Sequence, residues 1–208
     1  MTDVKNKILH TALEHFLRNG IREMAVQKLS ASLKISTKTF YRYYGNKEEL
    51  LEDVLQLFYE QQYEILEKLS SEKEVVPLFV DIWYHAVERE HNVNNRFFRD
   101  LHHYYPELET KTEKEVGDKF RKKIREIVLK GQKEGVFQAE INPDAALEGI
   151  AVLYGDVART DRFSKLKLPP FEIFLNTIIL YIKGCCTEKG VRELENYTKK
   201  VKPFEVSE

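Results

Sequence analysis

The segment between residues 36 and 43 is dense in side chains that can donate hydrogen bonds to nucleic acid. Thr37, Lys38, Thr39, Tyr41 and Tyr43 bring hydroxyl and ammonium groups into one short stretch. Such groups donate to phosphate oxygens and to the edges of base pairs. The composition is that of a recognition helix, and it also fits the solvated, cationic face of an ordinary amphipathic helix.

The residues before this segment predict the element that positions it. Val26, Leu29 and Leu33 recur at helical spacing, and a short polar break leads to a second helical start at Ser36 and Thr37. Two short helices joined by a tight turn form a helix-turn-helix. Short patterns of this kind also arise by chance, so a plain helical hairpin remains the alternative at this point.

Charge is distributed unevenly along the 208 residues. The first fifty carry nine Lys/Arg against five Asp/Glu, a balance of +4, whereas the whole chain has a net charge of −1. The remaining residues therefore carry −5. A basic N-terminal segment is what binding to a phosphate backbone requires. A hydrophobic fraction of 42% beside 32% charged residues is typical of a globular chain and excludes wholesale disorder.

Five short patterns in the first fifty residues carry a resemblance to a known family. They are Gly20-Ile21, Val26-x-x-Leu29, Leu33-x-Ile35-Ser36, Thr39-Phe40-Tyr41-x-Tyr43-Tyr44 and Lys47-x-x-Leu50. As a set, in unbroken register, they resemble the N-terminal signature of the TetR/AcrR family of bacterial transcriptional repressors. Beyond residue 50 the chain resembles the family only in length, helical content and layout. Some positions depart from the pattern. Ser30 stands where alanine is usual, Tyr44 where phenylalanine is usual, Met24-Ala25 where threonine is frequent, and Lys34 where glycine is commonest. A lysine with positive φ costs on the order of 1 kcal/mol, so either the turn is strained at Lys34 or its backbone is shaped slightly differently.

The resemblance implies a homodimeric DNA-binding repressor with two domains. Residues 1–48 would form the helix-turn-helix domain, and residues 49–208 a larger helical domain for ligand binding and dimerisation. The implied partners are a double-stranded, pseudo-palindromic DNA operator, a second copy of the chain and an unidentified small apolar or amphipathic inducer. No cofactor is implied. Two recognition helices would enter successive major grooves of the operator.

Individual DNA contacts also follow from the resemblance. Thr37, Lys38 and Tyr43 are predicted at or near base edges, with Gln27 of the preceding helix as a further reader. Thr39, Tyr41 and Lys47 are predicted mainly at phosphates. The full predicted set is Gln27, Ser36, Thr37, Lys38, Thr39, Tyr41, Tyr43 and Lys47.

The rest of the chain is predicted to be helical. Apolar residues at helical spacing and capping signals predict helices over about 4–19, 46–69, 75–90, 92–104, 107–134, from 142 onwards, over 170–186, and a short one after 187. Asn46 is a good N-cap for the second of these helices, and Glu49, three residues on, completes a capping-box-like pair. An alternating strand pattern of any length is absent from the sequence. We therefore expect an all-α fold, with an N-terminal three-helix domain followed by the larger helical domain.

Aromatic residues between positions 83 and 105 suggest a small-molecule pocket. Apolar walls with a few polar tips are typical of such sites, and the family resemblance places an inducer near these helices. The predicted pocket residues are Trp83, Phe98, His102 and Tyr105. Aromatics at helical spacing are as readily explained by an ordinary core, so that interpretation stays open.

Two later helices combine small residues with much apolar surface, which favours a dimer interface. An isologous four-helix contact, with two helices from each subunit, would bury this excess. The predicted interface residues are Gly149, Val152, Gly155, Phe174, Ile178 and Ile182. The alternative is that both helices are central in the monomer.

Other functions have little support in the sequence. Signatures of a nucleophile elbow, a P-loop, a dinucleotide site or a zinc site are absent, so we predict neither an enzyme nor a bound metal. Adjacent His102 and His103 would point about 100° apart on a helix and would not converge on one ion. Without a secretory segment or a stretch of ~20 apolar residues, we expect a cytoplasmic protein without a membrane partner. A ligand-sensing or protein-binding helical dimer that lacks specific DNA binding is the main alternative, and an enzyme built on the second domain is a third.

Overall fold

The computed structural model describes residues 3–70 and 74–205, and these form α-helices joined by short loops. The helices are α1 (Asp3–Asn19), α2 (Val26–Ser32), α3 (Thr37–Tyr41), α4 (Lys47–Ser70), α5 (Val75–His91), α6 (Arg96–Tyr104), α7 (Pro106–Thr112), α8 (Asp118–Lys133), α9 (Pro143–Arg159), α10 (Pro170–Phe174), α11 (Leu180–Cys185) and α12 (Glu188–Thr198). Within the described ranges, β-type pairing is limited to one antiparallel bridge between Phe137 and Cys186. The predicted all-α class is confirmed.

Local structure differs from the predicted helices at three places. Pro106, expected to end a helix, begins α7, because a proline in the first turn loses no intrahelical hydrogen bond. Two helices predicted to be continuous contain π-helical turns, at Glu113–Gly117 between α7 and α8 and at Leu175–Ile179 between α10 and α11. A π turn holds an extra residue, so it rotates the side chains that follow it.

The described chain forms two compact units. The first contains residues 1–63 and 93–118, and the second contains residues 64–92 and 119–208. This grouping differs from the predicted boundary at residue 48, because the segment that includes α6 and α7 packs with the N-terminal helices. The division into a DNA-binding domain at 1–48 and a ligand-binding domain at 49–208 stays a prediction about function.

The first unit is built around a continuous apolar core. Its fully buried side chains include Phe16 of α1, Phe40 of α3, Phe58 of α4 and Phe97 of α6. The Phe58 and Phe97 rings meet edge to face, with centroids 5.9 Å apart. Burial of large aromatic rings supplies much of the apolar area that stabilises such a core. The core holds the short helices α2 and α3 in place.

The second unit is organised around α5, which packs against α9, α10 and α12. Phe174, Ile178 and Ile182 are fully buried in this unit. The Tyr197 hydroxyl of α12 lies 2.7 Å from both carboxylate oxygens of Asp81 of α5 and donates to them. Helices of the described ranges lack the combined length and apolar character needed to cross a membrane.

Candidate nucleic-acid interface

The turn between α2 and α3 is closed by backbone hydrogen bonds around a left-handed lysine. The Lys34 N–H donates to the Ala31 carbonyl oxygen and the Ile35 N–H to the Ser30 carbonyl oxygen, both at 3.0 Å. Lys34 has a φ of 55°. This geometry is the one by which a helix ends in a left-handed residue, and it is usually occupied by glycine. The turn therefore keeps this shape although the residue is a lysine, and the Lys34 backbone is strained as a result.

Helix α3 begins at a serine that caps it. The Ser36 side-chain oxygen accepts a hydrogen bond from the Thr39 N–H at 3.0 Å. The Ser36 and Thr39 hydroxyl oxygens also lie 2.9 Å apart. A serine N-cap contributes about 1 kcal/mol to a helix. Ser36, predicted as a DNA-binding residue, thus has a local structural role as well, and it orients the Thr39 hydroxyl.

Helix α3 presents one face to the core and the other to solvent. Phe40 is fully buried and Tyr44, just after the helix, is 2% exposed. On the opposite side Thr37 and Lys38 are exposed, and 53% of Tyr41 is exposed. The other predicted contacts divide between exposed positions, Gln27 and Ser36, and partly buried ones, Thr39, Tyr43 and Lys47.

A polar network fixes the chain immediately after α3. The Tyr44 hydroxyl donates to Asp53 Oδ2 at 3.0 Å, and Lys5 Nζ pairs with the same oxygen at 2.9 Å. Lys5 Nζ also lies 4.9 Å from the centroid of the Tyr44 ring. Burial raises the pKa of the Tyr44 phenol, and the Asp53 carboxylate raises it further. The hydroxyl therefore stays protonated and continues to donate to Asp53.

The start of α4 is capped by a pair that the sequence predicted. The Glu49 N–H donates to Asn46 Oδ1 at 2.8 Å. The Glu49 carboxylate accepts in return from the Gly45 N–H at 2.7 Å, one residue earlier than in the usual capping box. Lys47 follows Asn46 directly and is the first residue of α4. The cap thereby positions Lys47 at the amino end of the helix.

Lys47 lies in a half-buried setting of mixed charge. Its Nζ is 5.8 Å from the centroid of the Phe16 ring. Burial lowers the pKa of the ammonium group; the Asp100 carboxylate raises it, and the Arg22 guanidinium lowers it again. A partly desolvated ammonium gives up less hydration when it meets a phosphate than a fully exposed one does. The setting is suitable for a phosphate contact.

A second polar cluster in the first unit was not anticipated from the sequence. The Arg22 N–H donates to Asp100 Oδ2 at 2.9 Å, and Arg22 Nη1 donates to the Tyr104 hydroxyl at 2.8 Å. The Arg22 guanidinium carbon lies 4.4 Å from the centroid of the Tyr104 ring. Gly20 makes this approach possible: it has a φ of 86°, and a Cβ there would lie 2.9 Å from Arg96 Cβ. Asp100 is the single acidic residue among the buried positions of α6. An acidic residue at such a position was the feature of the sequence that could have indicated this cluster.

Comparison with protein families gives one match. The model described as "Bacterial regulatory proteins, tetR family" matches residues 8–54, which include α1, α2, α3 and the start of α4. A search of curated proteins found no match.

Solved structures similar to this chain share its fold. A TetR transcription regulator from Haloarcula marismortui is 14% identical with a TM-score of 0.76, covering 90% of this chain and 100% of its own. The fatty acid degradation regulator FadR from Bacillus halodurans is 17% identical with a TM-score of 0.64, covering 83% of this chain and 91% of its own. A putative transcriptional regulator from Saccharomonospora viridis, in complex with choline, is 15% identical with a TM-score of 0.62, covering 96% and 97%.

The chain carries the tetR-family domain of bacterial regulatory proteins over residues 8–54, and its helices have the fold of the TetR transcription regulator to which it is similar. The family resemblance inferred from the sequence is thus confirmed.

The predicted pocket residues divide between the two units. Phe98 is 7% exposed within the core of the first unit, and Tyr105 packs against that core. His102 belongs to the same unit, but 82% of its side chain is exposed and its Nδ1 lies 3.0 Å from Glu109 Oε2. An exposed side chain paired with a carboxylate does not line a buried site, so the structure argues against His102 there. Trp83 belongs to the second unit and is 6% exposed.

The predicted dimer residues fall into two groups. Phe174, Ile178 and Ile182 are 0% exposed, so their side chains are unavailable to another subunit and their prediction as interface residues needs correction. Gly149 faces the Tyr181 hydroxyl, which a Cβ would approach to 2.3 Å. Gly155 has open space around it.

The large apolar residues that these helices do expose are Val152 of α9, at 67%, and Leu180 of α11, at 62%. Val152, one of the predicted interface residues, is therefore accessible to a second subunit.

In residues 3–70 and 74–205, His, Cys, Asp and Glu side chains do not gather in threes as a metal site requires. Both cysteines are free thiols, and burial raises the pKa of Cys186 to about 12.

Proposed function

We propose that this protein is a ligand-responsive transcriptional repressor that binds a pseudo-palindromic DNA operator as a homodimer. A small apolar or amphipathic inducer would release it from the DNA, and the protein would act in the cytoplasm. The observation that carries the proposal is the α2–turn–α3 unit. Its buried side anchors it to the core, while Thr37, Lys38 and Tyr41 remain exposed. A recognition helix needs this division between an anchored face and an exposed one.

Within the proposal each exposed residue has a defined partner. Thr37 and Lys38, at the start of α3, would contact base edges, where the amino end of a recognition helix enters the major groove. Tyr41 and Lys47 would contact phosphates, which fix register without reading sequence. Gln27 would read from α2, and Tyr43 and Thr39 would support the contacts from partly buried positions.

The response to a ligand is proposed to act through α4. This helix runs without a break from Lys47 to Ser70. Its residues up to 63 belong to the first unit and those from 64 onwards to the second. A ligand that binds more tightly to one pose of α4 would shift the population of that pose, and only this difference in affinity can release the DNA. Binding of choline by the Saccharomonospora viridis neighbour supports a ligand site on this fold.

Fluorescence anisotropy with DNA from upstream of the gene tests the proposal. The full-length protein is titrated at two salt concentrations with nonspecific competitor DNA present. Saturable binding that weakens with salt and survives the competitor is expected. Binding no tighter than to competitor, followed by no enrichment in a selection from random DNA, would contradict DNA recognition and favour a ligand-sensing dimer.

Base reading and phosphate contact are separated by matched variants. Thr37→Ala and Lys38→Ala are expected to change the preferred base pairs in a selection from random DNA. Tyr41→Phe, which removes only a hydroxyl, is expected to weaken binding to all sequences alike. An unchanged sequence preference in both Thr37→Ala and Lys38→Ala would remove these residues from the base-reading set.

A further inference from the structure

Trp83 holds a buried hydrogen-bond donor without a protein acceptor. The residue is 6% exposed, and its Nε1 has no hydrogen-bond partner among the residues that the structure describes. A buried donor left unsatisfied costs about 1–3 kcal/mol. Buried tryptophans usually place this N–H against an acceptor. A phenylalanine would fill apolar space at this position without that cost.

The surroundings of Trp83 are aromatic. Its ring centroid lies 6.3 Å from that of Phe79 on α5 and 5.5 Å from that of Tyr154 on α9. Phe79 in turn meets Phe137 edge to face at 5.3 Å. Phe79 and Tyr154 thus give the indole aromatic neighbours from two helices. A molecule with an apolar body suits such walls, with one polar atom directed at Nε1.

Other buried polar groups of the second unit are paired. The Arg159 guanidinium donates from Nε and Nη2 to the Glu90 carboxylate at 2.6 and 2.9 Å. The Tyr197 hydroxyl donates to Asp81. Because Glu90 and Arg159 neutralise each other, this ion pair favours neither an anionic nor a cationic ligand. An uncharged acceptor is therefore the better match for Trp83.

We propose that the Trp83 indole N–H donates a hydrogen bond to the ligand of the second unit, and that this ligand is an uncharged apolar molecule bearing a carbonyl oxygen. The inference rests on the proposed function, which gives the second unit a small-molecule ligand. It goes further in naming the donor atom and the chemical class. Contacts with Phe79 and Tyr154 hold the apolar body, and the carbonyl satisfies the buried donor.

Trp83 is the only tryptophan of the chain, so its signals are unambiguous. Full-length ¹⁵N-labelled protein gives a single indole N–H resonance, which is followed during titration without DNA. Two probe pairs are used: acetophenone with ethylbenzene, and cyclohexanone with methylcyclohexane. Within each pair the body is similar and only one member carries the carbonyl.

We expect each ketone to bind about tenfold more tightly than its hydrocarbon and to move the indole proton downfield. In Trp83→Phe the ketone should lose this advantage. Tyr84→Phe is the matched control. It removes a polar group from the residue next to Trp83, but this hydroxyl already donates to Glu88 and is not proposed to contact the ligand. The ketone preference should persist there. A thermal melt checks each variant, and if Trp83→Phe does not fold, the indole shift of the native chain decides.

Three results would overturn the proposal: equal affinity within both pairs, an indole resonance that does not move at saturation, or no binding of any probe. The readout is taken without DNA. Failure of the ligand contact therefore leaves the anisotropy result intact, and absence of DNA binding leaves the indole result intact.

Discussion

Lys47 allows a quantitative test of how this protein meets the DNA backbone. The Lys47 ammonium lies 5.8 Å from the centroid of the Phe16 ring. Replacing Lys47 by methionine removes the charge but keeps an unbranched side chain beside this ring. The substitution therefore isolates the electrostatic contribution from the packing. Since Lys47 stands at the amino end of α4 and is half-buried, its position relative to α3 should be well defined.

The expected magnitude follows from counterion release. Each phosphate neutralised contributes about 0.9 to the slope of log affinity against log salt. A dimer carries two copies of Lys47, so Lys47→Met should reduce the slope by about 1.8. At a salt concentration of about 0.1 M this corresponds to a loss of about 60-fold in affinity, and at about 0.2 M to about 20-fold.

Anisotropy titrations at four or more salt concentrations measure this slope. Lys111→Met is the control, because the Lys111 ammonium already pairs with Glu52 in the first unit; its slope should equal that of the native protein. If the slopes of Lys47→Met and the native protein coincide, Lys47 does not contact a phosphate and the reasoning is refuted.

Three further predictions concern stability and assembly. Ser30 Oγ is buried without a hydrogen-bond partner among the described residues, so Ser30→Ala should raise the free energy of unfolding by about 1 kcal/mol in urea denaturation. A decrease would show that the hydroxyl is satisfied. Arg159→Met leaves the Glu90 carboxylate, 0% exposed, without its guanidinium and should lower the free energy of unfolding by about 3 kcal/mol. Adding Glu90→Leu should restore it to within about 1 kcal/mol, whereas a double variant no better than the single one would show another cause. Val152→Glu should shift the proposed dimer to monomer in sedimentation equilibrium, because Val152 is 67% exposed in the chain. A dimer that persists would place the interface elsewhere.

The N-terminal unit was largely predictable from the sequence. Helix spacing located α1, α2 and α3, and Asn46 with Glu49 marked the start of α4. These signals are local: they depend on residues three or four positions apart. The left-handed Lys34 was also anticipated as one of two outcomes, because the turn length leaves little choice of backbone.

The proposed ligand and dimer residues were harder to predict, because they depend on which face of each helix is covered. Composition does not distinguish Ile182, which is fully buried, from Leu180, which is 62% exposed. Phe174, Ile178 and Ile182 do share one face, as their spacing indicates, but this face is buried within the chain itself. Helical spacing identifies residues that share a face, and it does not say which surface covers that face.

By itself, the sequence determined the all-α class, the resemblance of the N-terminal segment to the tetR family and the positions of α2 and α3. Each follows from short-range spacing, capping and turn chemistry, which act before distant segments meet. Only the tertiary structure decided the contacts between residues far apart in the chain. It joined Arg22 to Asp100, paired Glu90 with Arg159, buried Phe174 and left the Trp83 indole N–H without an acceptor among residues 3–70 and 74–205. Such contacts depend on how helices pack, and many side chains of similar hydrophobicity satisfy the same local pattern.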